Sequence, residues 1–236
     1  MKSLVIANTA GGVGKSTTAH ALAVAAVEYG KKTLLIDADP AATLTFYCGV
    51  ENPRLTTQEF LTGEFSLEAS TVKTSERFGF LPSSTRLTSM NIDQSIPADK
   101  FKASVAEYDL VIIDTASGPN QCTNYFLGVG DRVVIPATQE ISAIRGALHI
   151  KNFAESAGHS NQLELLFVRN TEELSTQMSE IVKNDFRILE PAIRENQLVS
   201  EAQISGKSVL TTSKASEVAA DYREICYTIL DELQLI

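Results

Sequence analysis

Asn8-Thr9-Ala10-Gly11-Gly12-Val13-Gly14-Lys15-Ser16-Thr17 follows the apolar run Leu4-Val5-Ile6-Ala7 and leads into an alanine-rich stretch with helical character over 16–29. A strand, a glycine turn and a helix start in that order have the layout of a phosphate-binding loop. Glycines let backbone N–H groups close around phosphate oxygens, and a helix N-terminus adds partial positive charge. A plain strand-to-helix turn needs no lysine followed by two hydroxyl residues. Lys15 is placed to reach the β- and γ-phosphates of ATP, and Ser16 to offer its hydroxyl to Mg2+. Gly11, Gly12, Val13, Gly14, Lys15, Ser16 and Thr17 are the candidate nucleotide cradle.

Working outward, apolar runs bounded by polar turns recur at 4–7, 33–36, 110–113, 132–135 and 163–168. Helical patterns separate most of them, over 16–29, 142–157, 172–184 and 215–233. Gly30 and two lysines close the first helix. This alternation predicts an α/β fold, a largely parallel twisted sheet with helices on both faces. Residues 51–108 are less regular, with a short strand expected at 78–81 and a helix at 99–106. The 236 residues, 44% hydrophobic, suit one domain over 1–236, without a linker or internal repeat.

Charge and cysteines narrow the function classes. A net charge of −9 argues against a globally basic nucleic-acid binder, so any DNA contact needs a local patch. Cys48, Cys122 and Cys226 lie far apart without C-x-x-C spacing, which suggests neither zinc nor a disulfide framework and fits a reducing cytoplasm. Gly11 and Gly12 interrupt the first apolar run before it reaches signal-peptide length, and no stretch is long enough to span a bilayer. Starting almost directly at a strand leaves no room for an N-terminal helix-turn-helix domain, so sequence-specific operator binding is not expected.

Two further strands end in carboxylates. Leu34-Leu35-Ile36-Asp37-Ala38-Asp39-Pro40 places two just beyond a buried strand, on the edge where α/β sheets bind ligands. Either one alone can be read as a cap of the following helix, and the presence of two here weighs against that reading. Tyr108-Asp109-Leu110-Val111-Ile112-Ile113-Asp114 ends in a third, of Walker B type, expected to hold Mg2+ through water. Thr115-Ala116-Ser117-Gly118-Pro119 follows it.

The phosphate loop departs from G-x-x-x-x-G-K-[ST], because Thr9 stands at the first glycine. It resembles the deviant loop K-G-G-x-G-K-[ST] of the ParA/MinD ATPases, and Asp37-Ala38-Asp39-Pro40 resembles their D-x-D-P motif. Further matches lie at 115–119, 131–138, 144–146, 169–170 and 191–209, so the likeness runs from residue 2 to about 233 and is weakest over 51–100. The resemblance implies that Asp39 orients the attacking water and that Asp37 helps hold the metal's water shell. It also implies that Asn170 meets adenine, an amide offering a base edge both a donor and an acceptor. The expected protein is a slow, Mg2+-dependent ATPase that forms a homodimer with ATP and binds non-specific DNA in that state. A small adaptor, ParB-like or of the carboxysome-positioning kind, would trigger release, distributing a cargo such as a plasmid or carboxysome from a cytoplasmic, nucleoid-associated pool.

In that family the loop's first lysine crosses the dimer to the partner's nucleotide; here the position is Ala10. Slow hydrolysis, ATP binding without turnover, or another cation in the role would each follow. The carboxysome-positioning branch also lacks this lysine. Lys151 is the replacement candidate and Arg145 the second choice. Candidates for the DNA patch are Lys183, Arg187, Arg194, Lys207, Lys214 and Arg223, interspersed with acidic residues. Competing classes are a MinD-like membrane-surface ATPase and an ATP-dependent ligase of dethiobiotin synthetase type. The first needs a basic amphipathic tail, where this C-terminus is acidic; the second lacks a distinctive substrate cluster. An iron–sulfur ATPase is weaker still, since Cys122 has no evident companion.

Overall fold

The computed structural model describes residues 1–118, 120–159, 162–170 and 180–236. Most of the helix expected over 172–184 lies outside the described residues. The strands are β1 (Lys2–Ile6), β2 (Thr33–Ala38), β3 (Val72–Lys73), β4 (Gly79–Leu81), β5 (Leu110–Thr115), β6 (Arg132–Ala137), β7 (Gln162–Asn170) and β8 (Arg187–Arg194). The described helices are α1 (Lys15–Glu28), α2 (Thr43–Tyr47), α3 (Thr57–Leu61), α4 (Leu67–Ser70), α5 (Ala98–Ser104), α6 (Gln121–Val129), α7 (Ile141–Ser156), α8 (Gln197–Ile204), α9 (Val209–Thr212) and α10 (Glu217–Glu232). Two short 3-10 turns, Thr85–Ser89 and Ile92–Gln94, precede α5.

The strands form one sheet in the order β3-β4-β2-β5-β1-β6-β7-β8. Every neighbouring pair is parallel except β3 with β4. The expected α/β architecture is what the chain adopts. Parallel strands are covered on both faces, which is why the central ones read as unbroken apolar runs. Strand alternation divides the core in two. Leu4 and Ile6 of β1 and Leu110 and Ile112 of β5 join Leu22 of α1 and Ile225 and Ile229 of α10 on one face. Val5, Val111 and Ile113 join Phe101 of α5, Phe126 of α6 and Ile150 of α7 on the other. The five alanines of α1, Ala19, Ala21, Ala23, Ala25 and Ala26, are all buried, and their small side chains let α1 lie close against β5 and α10.

This winding positions the site. From β1 the chain moves toward β2 on one side, and from β5 it crosses to β6 on the other. The C-terminal ends of β1 and β5 therefore border a crevice where loops diverge, the ligand-binding position of open α/β sheets. Among the described residues, no helix is long and apolar enough to cross a membrane. The apolar face of α10 is buried in the core, with Val218, Tyr222, Ile225 and Ile229 all at most 2% exposed.

Candidate functional site

Asn8 sets the phosphate loop in place. This fully buried amide donates to the carbonyls of Pro136 (2.8 Å) and Ala143 (3.2 Å) and accepts the Ala10 N–H (2.9 Å). A buried polar side chain is stable only when its hydrogen bonds are made, and Asn8 makes them to both β6 and α7. Gly146 of α7 allows the approach, since a Cβ there would collide with Asn8 Oδ1 and come within 2.8 Å of the Ala10 nitrogen. Gly12 (φ 71°) and Gly14 (φ 82°) take left-handed conformations that other residues rarely adopt, and Gly14 forms the N-cap of α1. Gly11 has no such demand.

Lys15 is 6% exposed and its ammonium bridges the Ala10 carbonyl (3.0 Å) and the Ser117 hydroxyl (2.8 Å). One of its three donors is thus engaged inside the loop and a second by the segment after β5. Burial pulls its pKa below the usual lysine value, opposed by the charges of Asp114 and Asp39.

Asp37 and Asp114 are neighbours in the β2–β5 register, both fully buried, yet held differently. Asp37 accepts the N–H of Asp39 (3.0 Å) and both the N–H and hydroxyl of Thr45 (2.9 and 2.7 Å). It tightens the turn from β2 into α2, so the capping alternative describes what its oxygens do. Burial nevertheless raises it to about 7, against the pull of those hydrogen bonds. Among the described residues neither oxygen of Asp114 has a hydrogen bond of ordinary geometry. Burial and then the Asp37 charge push its pKa well up, while the nearby Ser16 hydroxyl and Lys15 pull it down. Asp39 lies at the cavity edge, its Oδ1 accepting the Ala41 N–H at 2.8 Å.

Orphaned carboxylate oxygens beside a hydroxyl and a lysine fit a divalent cation. Among the described residues no group of three or more His, Cys, Asp or Glu could cage a metal. Mg2+ keeps most of its waters and takes one or two protein ligands plus phosphate oxygens. Ser16 and Asp114 are the residues that fit.

Above the loop opens a cavity of about 740 Å³, lined by residues 12–17, Asp39, Tyr47, Ser117, Arg169, the 193–200 segment, Gln203 and Tyr222. This is the size of a small-molecule pocket. Arg169, which sequence reasoning passed over, sits there with φ 52°, its guanidinium donating to the Gly12 carbonyl. Its place at the C-terminal end of a parallel strand was the available clue. Asn8, Gly146, Ser117 and Gln203 were missed as well.

Other expected residues lie apart. Asn170 accepts from the Gln139 amide and does not line the cavity, its neighbours Val168 and Arg169 doing so instead. Lys151 holds Asp185 at 2.8 Å, lies over the Phe186 ring and does not line the cavity either. Arg145 is exposed on α7. The six proposed DNA contacts do not form a patch of free cations, because four are neutralised within the chain. Lys183 pairs with Glu180, Arg187 with Glu164 and Glu232, Arg194 with Glu217 and Asp221, and Arg223 with Glu28. Of the acids interspersed among them in the sequence only Glu217 and Asp221 are partners, both of Arg194; Glu28, Glu164, Glu180 and Glu232 lie outside that stretch. Lys207 and Lys214 are exposed and enter no ion pair among the described residues.

Known proteins resemble this chain in sequence and fold. The AAA domain family matches residues 1–167. The chromosome partitioning protein ParA of Caulobacter vibrioides is 31% identical, over 89% of this chain and 86% of that protein. The ATP complex of McdA from Cyanothece superposes with a TM-score of 0.80 at 22% identity, covering all of this chain and 97% of that one. MinD of Pyrococcus horikoshii, complexed with Mg-ADP, gives 0.82 at 22% identity, covering 99% and 97%.

Proposed function

This chain belongs to the ParA/MinD family of P-loop ATPases, and from that premise we propose that it is a nucleotide-switched positioning protein. ATP with Mg2+ closes two copies into a homodimer, the dimer holds non-specific DNA, and an adaptor on a cargo stimulates hydrolysis and release. The observation that carries this reading is Asp114, fully buried beside the phosphate loop with neither oxygen in a hydrogen bond of ordinary geometry among the described residues. A buried carboxylate without a partner is costly, and a cation arriving with the nucleotide relieves it.

Bound Mg2+ would neutralise charge on the β- and γ-phosphate oxygens. Ser16 and Asp114 would hold the ion, the first through its hydroxyl and the second through water, while Asp37 keeps the turn behind them rigid. Lys15 leaves its loop contacts for the terminal phosphates. Ser117 then loses a partner, which links the segment after β5 to nucleotide state. Asp39 orients the attacking water. Phosphoryl transfer is catalysed chiefly by positioning and charge neutralisation, so without a lysine at residue 10 turnover is slow until a partner assists.

For the cation that replaces that lysine, Arg169 has better support than Lys151, because it already lines the cavity. For DNA, the free lysines Lys207 and Lys214 of two joined copies are the remaining candidates from the original set. The membrane-surface alternative has less support, since the apolar face of α10 is packed in the core. Light scattering with ATP, ADP and no nucleotide, run beside a DNA mobility shift, tests the proposal. Doubling of mass and DNA retention with ATP alone are expected. Equal mass in all three conditions would contradict the switch.

A further inference from the structure

Gln203 lies in α8 and lines the nucleotide cavity, and its side-chain amide donates to the Thr17 hydroxyl oxygen at 2.6 Å. Thr17 is the third residue of α1, within the first turn, where backbone N–H groups lack intrahelical acceptors and face the cavity. We propose that Gln203 is a positioning residue for the nucleotide, fixing the Thr17 hydroxyl so that its proton points at a phosphate oxygen; this rests on the nucleotide reading above.

The chemistry follows from hydrogen-bond polarity. A hydroxyl has one proton and two lone pairs, and phosphate oxygens only accept. When the Gln203 N–H occupies a lone pair of Thr17, the Thr17 proton is left for an acceptor on the open side. A donor already in place excludes the orientation in which the hydroxyl proton points at Gln203, and accepting one hydrogen bond polarises the hydroxyl for donating the next. Gln203 is not needed to seat its own helix. Ala202 is buried in the core, Leu198 and Val199 pack against it, and Asn196 caps α8 by accepting the Leu198 N–H at 3.0 Å.

A double-mutant cycle on the affinity for Mg-ATP, measured by calorimetry, tests this pairing. Gln203→Met keeps the length and removes the donor. It should raise the Kd roughly tenfold, the scale of one hydrogen bond to a charged group, and should have no further effect in a Thr17→Val background. Gln203→Glu has the same shape but cannot donate when ionised, so it should bind at least as weakly as Gln203→Met. The melting temperature of the nucleotide-free variants should stay at the wild-type value, which a role in seating α8 would not allow. Equal losses with and without Thr17, or wild-type affinity in either Gln203 variant, would overturn the proposal while leaving nucleotide binding intact. No ATP uptake by the wild-type chain would overturn both.

Discussion

At the start of the strands, Glu164 is fully buried between Arg132 and Arg187, each 3.1 Å from its Oε1, with Glu232 completing the cluster. At the opposite end of the same sheet Asp114 is equally buried, and among the described residues neither of its oxygens has a hydrogen bond of ordinary geometry. Burial pushes both carboxyls above their usual range; at Glu164 the two arginines pull it back, and at Asp114 only Ser16 and Lys15 do so. One end has its charges matched within the chain, and its residues join β6, β7, β8 and the end of α10. The other keeps an unmatched charge where a ligand can supply the counter-ion. Stability and function are therefore separated along the strand direction, and substitutions at the two ends should fail in different ways.

The largest effect is expected at the matched end. Arg132→Ala leaves Glu164 buried with one fewer partner, and breaking a buried pair from one side costs about 3–5 kcal/mol. Denaturant unfolding should show that loss, while the ATP affinity of the folded fraction stays near wild type. A large affinity change would mean the two ends are coupled.

Asp114→Asn should do the reverse. Removing the unmatched charge should leave the melting temperature of the nucleotide-free protein unchanged or raise it, whereas Mg2+-dependent turnover falls about 10–100-fold, the scale for groups that hold a metal through its outer shell. Lower stability without loss of turnover would place Asp114 among the structural residues and dissolve the contrast.

The smallest effect is acid sensitivity. Glu232 is held down at about 2, chiefly by its hydrogen bond to Arg187, against an ordinary value of 4.5. A depressed carboxyl stabilises the fold fully above its unfolded pKa and loses that contribution as pH falls through the folded one. Wild-type stability should therefore decline between pH 4.5 and about 2 more steeply than that of Glu232→Gln, by an amount reduced by the partial exposure of Glu232 and by salt. Parallel pH profiles would remove Glu232 from the cluster's energetics.

The same contrast governs how much the sequence discloses. The parallel sheet is legible because buried strands such as β1, β2 and β5 are continuous apolar runs, and the loop is legible because Gly12, Gly14 and Lys15 have no other purpose in that order. The irregular helices α2 to α4 and the antiparallel β3 carry no comparable period, and β3 has only two residues. Asn8 and Gly146 stand 138 positions apart in the chain, and only the fold brings them into contact. Four of the six residues expected to contact DNA, Lys183, Arg187, Arg194 and Arg223, have carboxylate partners 3 to 195 positions away. A count of positive residues cannot show that pairing. Asp37 and Asp114 look alike as strand-terminal carboxylates, and what separates them is Thr45, a hydroxyl on the next helix that reaches only one of them.

Calorimetric titration of the wild-type chain with ATP, with Mg2+ present and then chelated, tests the central claim most directly, with Lys15→Met as the control. One ATP per chain should bind in Mg2+, with affinity reduced by chelation and by Lys15→Met. A folded protein that takes up no ATP, or takes it up equally in all three experiments, would contradict the account.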